Sequence, residues 1–556
     1  MFPNLLIFIL AYFFILISLL GYGLAFSNIF LKNKNFNNIG YLGLLGIFTL
    51  IIYSYLSNFF IAHTKIHNLI LLLLGFIFFC VFFNKDKVFF RQNIYLTLII
   101  FSLIFISILI FKSHDDFPYY HFPYTHYLTE QNSIIGIGKL NHGFRTPSSL
   151  FYLNSLFYIP ILDYNLFNFG QIYILGFGNI ILIKNINNNY LSLKKNFTNF
   201  NIINFLSLLS FIFINIFFYR IAEHGTDRSA QILIFIFIIE IIYLLINKKN
   251  YSIQIINILL LLSLIISLKA FYILYIIFLL PIFIFFILET KNFKKALQVF
   301  ISNSFIIWFI LMLNLVLLSY FFNTGCLIYP ISFTCFQNLS WTISTSEIKL
   351  MNQWYELWSK AGASPNYRVE NPLIYLSDLN WLNTWVDNYF FNKVSDFILG
   401  LVFLISFVLF FLKGNLKLNL KSNKNKYILY VFLLIILLLF EWFFNHPALR
   451  YGGYCLVALL LFLPCSLFFR ITEVKQKLFS KKILILIIIT TLIFITRNIQ
   501  RIDKEIKLYG YKPFSNTFYR LDENYFRIQK EIDDIIINKT DDFVIKYWKI
   551  IFVKNK

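Results

Sequence analysis

Long apolar segments separated by short polar connections run along most of the 556-residue chain. Each segment has about 15 to 24 residues, close to the roughly 20 that an α-helix needs to cross a bilayer. About fourteen segments are present, and they start near Leu5, Gly40, Leu69, Ile94, Leu166, Ile202, Ala230, Ile253, Ala270, Val299, Phe397, Ile428, Leu456 and Ile483. The pattern predicts an all-α polytopic membrane protein with about 14 transmembrane helices.

The basic residues in the connections predict the orientation of these helices. Seven alternate connections carry 23 Lys and Arg residues, whereas the short connections on the opposite side carry five. Basic connections generally stay in the cytoplasm, so both termini and the large loops are expected outside. A crossing by the short apolar segment 151–162 would invert every later loop, so we expect this segment to lie on or dip into the outer leaflet.

Composition narrows the class of protein and its partners. Hydrophobic residues make up 59% of the chain and charged residues 13%, about half the charged fraction of an average soluble protein. The net charge of +22 would suggest nucleic-acid binding in a soluble protein, but here the charges lie at membrane borders. We therefore expect the bilayer, and no nucleic acid, as a partner. The preference for Phe, Ile, Asn and Lys is typical of an AT-rich bacterial genome, which makes a bacterial inner membrane the expected location.

Three longer polar segments divide the chain, and all are expected on the periplasmic side. The last of them, the C-terminal tail, contains a strand-like stretch at 544–553 and can form a small external cap or remain disordered. The predicted units are a four-span bundle 1–112, an external loop 113–164, a six-span bundle 165–322, a large external loop 323–396, a four-span bundle 397–496 and the tail 497–556.

Two cysteines share a short stretch of the large external loop. Cys326 and Cys335 would lie in an oxidising compartment, and a loop of this length can close with acceptable geometry. We expect a disulfide between them, with two free thiols as the alternative.

The first external loop concentrates residues that can carry chemistry. Two adjacent carboxylates at a membrane border are costly unless they are solvated or used in function. Solvated loop charges with interfacial aromatic side chains are the alternative interpretation. The candidate residues in this loop are His114, Asp115, Asp116, Tyr120, His121, His142 and Arg145.

The same loop predicts two surface helices. Pro123 suits the first turn of a helix in which His126 and Glu130 share a face. Tyr124 and its aromatic neighbours would turn toward the membrane interface, which makes this helix amphipathic. The segment 151–162 would form the second surface helix.

Three further outer connections place cations close to the membrane. Arg228 ends a charged turn, Lys269 lies in a tight hairpin, and Arg450 precedes two glycines. A desolvated cation at the lipid border needs an anion, so we expect Lys269 and Arg450 to bind a lipid phosphate. Arg145 and Arg228 are second choices. Snorkelling of Lys269, or charge pairs that only cap helices, are the alternatives.

The large external loop is rich in tryptophan. Trp354 and Trp358 are spaced to share a helix face, which can hold that helix in the membrane interface. Stacking of such rings on sugar faces is the functional alternative.

The order of features in residues 112–160 resembles the first external loop of the GT-C glycosyltransferase superfamily. An acidic pair is followed by Tyr119 and Tyr120, a surface helix, a stretch with Gly and His, and Pro147 before a second surface helix. In that superfamily an acidic residue at the start of this loop is a catalytic base or metal ligand, and the surface helices are called jaw helices. By resemblance, the acidic role falls to Asp115 or Asp116.

The resemblance also implies a donor sugar carried on polyprenyl phosphate. The strings around Asp115, around Asp227 and at 446–450 look like those of an uncharacterised set of bacterial multi-span proteins associated with surface-polysaccharide synthesis. The chain departs from the superfamily in having three spans before the span that leads into the acidic loop.

These features predict a membrane glycosyltransferase that moves a sugar from a polyprenyl-phosphate donor to a lipid-linked or surface glycan. Asp115 or Asp116 would be the base, and His114, Asp116 and His121 are possible ligands of a divalent metal. A repeat-unit polymerase or ligase is one alternative. A flippase for lipid-linked sugars is another, although it would need more polar residues within the spans.

Overall fold

The chain, described here from a computed structural model, is built almost entirely of helices. Eleven helices among the described residues are long and apolar enough to cross a membrane, so the protein is an all-α polytopic membrane protein. The described residues are 4–31, 38–83, 87–191, 200–246, 251–363, 369–413, 416–418, 426–471, 476–515, 523–537, 544–547 and 550–553. Ten of the 23 predicted cytoplasmic basic residues, among them Lys32, Lys85, Lys194 and Lys248, lie outside these ranges.

The helices follow one another along the chain with short connections. The first ten are α1 Leu5–Phe30, α2 Ile39–Asn58, α3 Lys65–Phe83, α4 Lys87–Ile104, α5 Phe122–Glu130, α6 Ser149–Ser155, α7 Phe169–Leu191, α8 Phe200–Phe217, α9 Ile221–Ile246 and α10 Tyr251–Leu268. The later ones are α11 Leu279–Thr290, α12 Phe293–Ile301, α13 Ile306–Thr324, α14 Thr345–Lys360, α15 Pro372–Leu376, α16 Leu382–Trp385, α17 Ser395–Phe411, α18 Lys426–Asn445, α19 Gly453–Phe468, α20 Gln476–Tyr509 and α21 Arg527–Ile537.

Three shorter apolar helices accompany the eleven candidate spans. They cover Asn93–Ile108, Ile202–Phe217 and Gly453–Phe468, where the sequence predicts further crossings. Every predicted apolar segment therefore coincides with an apolar helix. The number of fourteen crossings stays a prediction. These three apolar helices have at most 17 residues each, fewer than the roughly 20 that an α-helix needs to cross a bilayer.

Several span boundaries differ from those expected. The span expected near Val299 begins at Ile306, because the chain turns at 302–305, where Asn303 Oδ1 accepts a hydrogen bond from the Phe305 amide at 3.0 Å. A helical run from Leu382 to Phe411 begins inside the predicted large loop, and α20 continues past residue 497 into the predicted tail. In both cases the helix continues through polar residues, and the pattern of apolar residues alone does not predict such an extension.

Short strands join the C-terminal tail to the first external loop. The strands are β1 Ile134–Ile135, β2 Leu416–Leu418, β3 Phe469–Ile471, β4 Val544–Tyr547 and β5 Ile550–Val553. Strand β5 pairs in parallel with β1 and antiparallel with β4, and β2 pairs antiparallel with β3. The strand-like stretch of the tail is thus confirmed, and it caps the first loop.

The two expected surface helices are buried within the protein. Helix α5 includes Pro123 in its first turn, and His126 Nε2 lies 3.8 Å from Glu130 Oε1 on one face. Tyr124 is nevertheless only 1% exposed, so the expected aromatic face toward the membrane interface is wrong. The reason is that α6 packs against one side of α5, and α21 of the tail packs against it as well.

The second expected surface helix is the seven-residue α6, and each of its residues is buried. Its polar groups bond to protein: Asn154 Oδ1 accepts from the Gly170 amide at 2.9 Å, and Ser54 Oγ donates to the Tyr152 carbonyl at 2.8 Å. A position on the outer leaflet is therefore wrong for this helix.

Close backbone contact through glycine holds α1 against α2. A Cβ at Gly46 would lie 1.9 Å from the Leu19 carbonyl oxygen, and one at Gly23 would lie 2.0 Å from that of Leu42. Small residues permit such contact between membrane helices. The two positions therefore set the spacing of the first helix pair.

We expect Gly46→Ala to force α1 and α2 apart and to lower the free energy of unfolding by about 1–3 kcal/mol, as overpacking typically does. The midpoint of thermal unfolding in detergent measures this. Gly400→Ala is the matched control, because its Cβ would meet only the Phe217 ring, at 3.2 Å. An equal midpoint for both variants would contradict the packing argument.

Candidate functional site

Four charged side chains meet at the end of the bundle opposite the basic connections. Asp116 Oδ2 lies 2.7 Å from Arg450 Nη2, and Arg450 Nε lies 3.5 Å from Asp227 Oδ2. Asp227 Oδ1 lies 3.0 Å from Lys269 Nζ. We call these four residues the charged cluster.

Local backbone geometry presents both carboxylates to the cluster. Asp116 immediately precedes a π-helical turn, Phe117–His121, and the Asp116 amide donates to His114 Nδ1 at 3.2 Å. Asp227 follows Gly225, whose φ of 40° and ψ of −100° break the helical geometry of α9. Glycine suits this left-handed position because it lacks a Cβ. The kink lets α9 begin with charged residues and continue as an apolar span.

The two cations lie in the turns between spans. Lys269 has extended backbone between α10 and the 3₁₀ segment Ala270–Phe278. Arg450 lies in the 3₁₀ turn Leu449–Tyr451, and its carbonyl accepts a hydrogen bond from Gln231 at 3.0 Å. Gly452 has φ of 97°, and a Cβ there would lie 3.3 Å from the Tyr272 ring. This turn therefore tolerates little movement.

Aromatic rings enclose the Arg450 guanidinium. Its central carbon lies 5.4 Å from the Trp358 ring centroid and 5.4 Å from that of Tyr451. Both contacts are favourable cation–π interactions. Trp358 belongs to α14 of the large external loop, so this contact places that loop over the cluster.

The cluster keeps Asp116 ionised. Burial alone would raise the pKa of the Asp116 carboxyl, but the positive charge of Arg450 lowers it to about 2. Two carboxylates and two cations also make the cluster neutral overall. An anionic ligand must therefore compete with Asp116 and Asp227 for the cations.

Neutral polar groups surround Asp116. Burial lowers the pKa of His121 to about 3, so its imidazole is neutral at pH 7, and its Nε2 is buried without a hydrogen-bond partner. Burial raises the pKa of Tyr120 well above its ordinary value, which keeps the phenol protonated. Both side chains can donate or accept a hydrogen bond beside the carboxylate.

The structure separates the two adjacent acids of the first loop. Asp115 is exposed and makes no hydrogen bond or ion pair to the described residues, whereas its neighbour Asp116 enters the cluster. Sequence reasoning left both as candidates. The geometry favours Asp116, since it alone of the two contacts a cation.

Three other candidates lie apart from the cluster. Arg145 is buried, donates to Tyr329 Oη at 2.8 Å and to the Gly138 carbonyl at 3.1 Å, and pairs with Glu347, so it is held by protein groups away from the cluster. Burial and the charge of Arg145 lower the pKa of the nearby His142. Arg228 lies over the Phe218 ring at 5.6 Å. Arg145 instead joins the first loop to the large external loop.

The expected disulfide is present, with an S–S distance of 2.10 Å between Cys326 and Cys335. It closes the start of the large external loop, where Tyr329 meets Arg145. This loop is therefore covalently closed near the contact that joins it to the first external loop.

The expectation that Lys269 is a lone cation is wrong, because Asp227 lies beside it. Sequence reasoning missed Asp227, which lies in the charged turn that begins at Arg220 and that could equally have been a helix cap. It named Trp358 only together with Trp354, as a possible membrane-interface residue, and did not place it beside a cation. The sequence did contain a signal for Asp227: it is a carboxylate two residues after Gly225, at the start of an apolar helix, where an unpaired charge is costly.

Among the described residues, one of the suggested metal ligands, Asp116, is already paired with a cation. His114 Nδ1 lies 3.6 Å from Asp116 Oδ2, and Arg450 occupies the same oxygen. Within the described ranges, no group of three or more His, Cys, Asp or Glu side chains is placed to hold a metal ion. The positive charges available at this site are those of Arg450 and Lys269.

We expect Arg450→Gln to lower the free energy of unfolding by about 2 kcal/mol, because two carboxylates then face each other without their shared cation. Adding Asp116→Asn should restore part of the loss. Thermal unfolding in detergent measures both effects.

The control is Lys507→Gln, which removes an exposed ion pair to Asp503 and should change stability little. If Arg450→Gln behaves like this control, the cluster does not hold the turns together.

Comparison of the chain with known protein families identifies one family that it matches. Residues 5–457 match a family described as a domain of unknown function (DUF8201), and this stretch contains all four residues of the charged cluster. No curated protein and no solved structure matches the chain. Because the match covers well over half of its length, the chain belongs to the DUF8201 family.

Proposed function

We propose that this protein is a membrane glycosyltransferase that moves a sugar from a polyprenyl-phosphate donor to a hydroxyl of a lipid-linked or surface glycan. It would act at the periplasmic face of a bacterial inner membrane. The observation that supports this most is the contact of Asp116 with Arg450, and through Asp227 with Lys269, at one end of a bundle of spans. The GT-C resemblance of the first loop points to the same chemistry.

The reaction needs two kinds of group, and the cluster contains both. A base must accept the proton of the acceptor hydroxyl, and cations must stabilise the phosphate as it leaves the sugar. Asp116 is ionised and accessible enough for the first role. Arg450 and Lys269 supply the second, and a guanidinium suits phosphate because it can donate two parallel hydrogen bonds.

Donor binding would change the basicity of Asp116. The donor phosphate competes with Asp116 for Arg450, and a guanidinium that turns toward phosphate leaves the carboxylate without its main positive partner. Burial, which raises the pKa of Asp116, would then act with less opposition. The carboxylate would therefore become a stronger base only once the donor is bound.

Transfer then follows in one displacement. The acceptor oxygen forms a bond to the anomeric carbon while the bond from that carbon to the phosphate oxygen breaks. The acceptor proton passes to Asp116, and the electron pair leaves with polyprenyl phosphate, beside Arg450 and Lys269. Inversion at the anomeric carbon is implied by the resemblance to GT-C enzymes.

Two neighbours of the cluster would position these groups. Asp227 lies between Lys269 and Arg450 and orients both cations toward one point. Trp358 and Tyr451 flank Arg450 and offer flat apolar faces on which a sugar ring can stack. The large external loop would thus contribute to sugar binding through α14.

We expect Asp116→Asn to lower the rate of sugar transfer at least about 100-fold, because the amide cannot accept the acceptor proton. Asp115→Asn is the matched control: it changes the adjacent, exposed acid and should transfer at the wild-type rate. Membranes containing each variant are supplied with polyprenyl-phosphate-linked sugars, and lipid-linked products are measured by mass spectrometry.

Full activity in Asp116→Asn would refute the base assignment. If Arg450→Ala abolished activity while Asp116→Asn remained active, the result would favour a repeat-unit polymerase or ligase, in which carboxylates matter less.

A further inference from the structure

A deep apolar groove lies between α4, α7, α8 and α20. Its volume is about 460 Å³, within the range of small-molecule sites. The helices that line it contribute no side chain to the charged cluster, whose members lie in the first loop, α9 and two turns. We call it the α20 groove, and it is separate from the proposed transfer site.

The α20 groove has apolar walls that can contact a hydrocarbon chain, and it is open along one side. Its walls are mostly Ile and Leu, and its polar Asn179 and Asn215 bond to each other at 2.8 and 3.1 Å. Half-exposed side chains such as Ile99, Ile488 and Leu492 form its rim on spanning helices. The groove therefore faces the hydrocarbon of the bilayer.

A cation marks the outer end of the groove. Arg497 is the first charged residue of α20 after the apolar stretch that begins at Ile483, and it follows the lining residue Phe494 by one helical turn. One of its N–H groups donates to the Ile216 carbonyl, and its guanidinium lies 3.9 Å from the Tyr219 ring centroid.

Arg497 has unused hydrogen-bonding capacity. Among the described residues it has no carboxylate partner, in contrast to Arg501 one turn later, which contacts Glu223 and Glu505. A guanidinium has five N–H donors, so most donors of Arg497 remain available to a ligand. A half-buried cation at the mouth of an apolar groove fits an anionic headgroup above a hydrocarbon chain.

We propose that the α20 groove binds an anionic phospholipid of the bilayer, with an acyl chain along α20 and the phosphate on Arg497. A polyprenyl-phosphate donor has similar chemistry, but its phosphate must reach Arg450 and Lys269, which no helix of this groove carries. The side opening gives direct access to bilayer phospholipid. This site is thus a second lipid site, distinct from that of the donor.

The test measures lipid binding to the full-length protein in detergent by native mass spectrometry, with added phosphatidylglycerol. Ile488→Trp fills the groove and should abolish the bound lipid. Leu433→Trp is its control, because Leu433 on α18 is equally exposed, at 50% against 48%, but lies outside the groove. Arg497→Gln should weaken binding about five-fold, the effect of one interfacial basic residue, whereas Lys507→Gln should not.

Two further probes decide the identity of the lipid. Phosphatidylcholine should bind more weakly than phosphatidylglycerol, because its headgroup carries no net charge. Polyprenyl phosphate at equal concentration should not displace phosphatidylglycerol. Wild-type binding by Ile488→Trp, equal binding of phosphatidylcholine, or displacement by polyprenyl phosphate would each overturn the proposal. The readout is binding, so it does not depend on the proposed transfer activity.

Discussion

A guanidinium shared by two carboxylates holds one end of this bundle of helices together. Arg450 contacts Asp116 of the first external loop and Asp227 of α9, and Asp227 in turn contacts Lys269 in the hairpin after α10. Charges at a membrane border are costly unless they are paired. The pairing therefore fixes one loop, one helix start and two turns around a single point.

Local patterns predicted much of the fold and part of the site. Apolar segments predicted the helices, because helix formation across a bilayer depends on residues that are neighbours in sequence. Asp116, Lys269 and Arg450 were identifiable because the connections on their side of the bundle carry few basic residues and a charge at a membrane border is costly unless it is used or paired. Pairings between distant residues were not: Asp116 and Arg450 are 334 positions apart. The burial of α5 was also unpredictable, since the tail that helps cover it lies about 400 residues later.

The two proposed lipid sites differ in whether their cations are already paired with carboxylates. The charged cluster is neutral and closed by its own carboxylates, so it admits a phosphate only by exchange. Arg497 at the α20 groove has no such competitor among the described residues and can hold a phosphate at rest. A donor that must displace Asp116 would bind transiently, which suits a substrate, while a lipid on Arg497 would remain bound.

The central claim, transfer of a sugar at the charged cluster, is tested most directly by the glycans of living cells. Lipid-linked and surface glycans are profiled by mass spectrometry in cells that lack the protein and in the same cells after its restoration. The account predicts that one glycan loses a single sugar and regains it on restoration. An unchanged glycan profile, or accumulation of complete single repeat units, would contradict it.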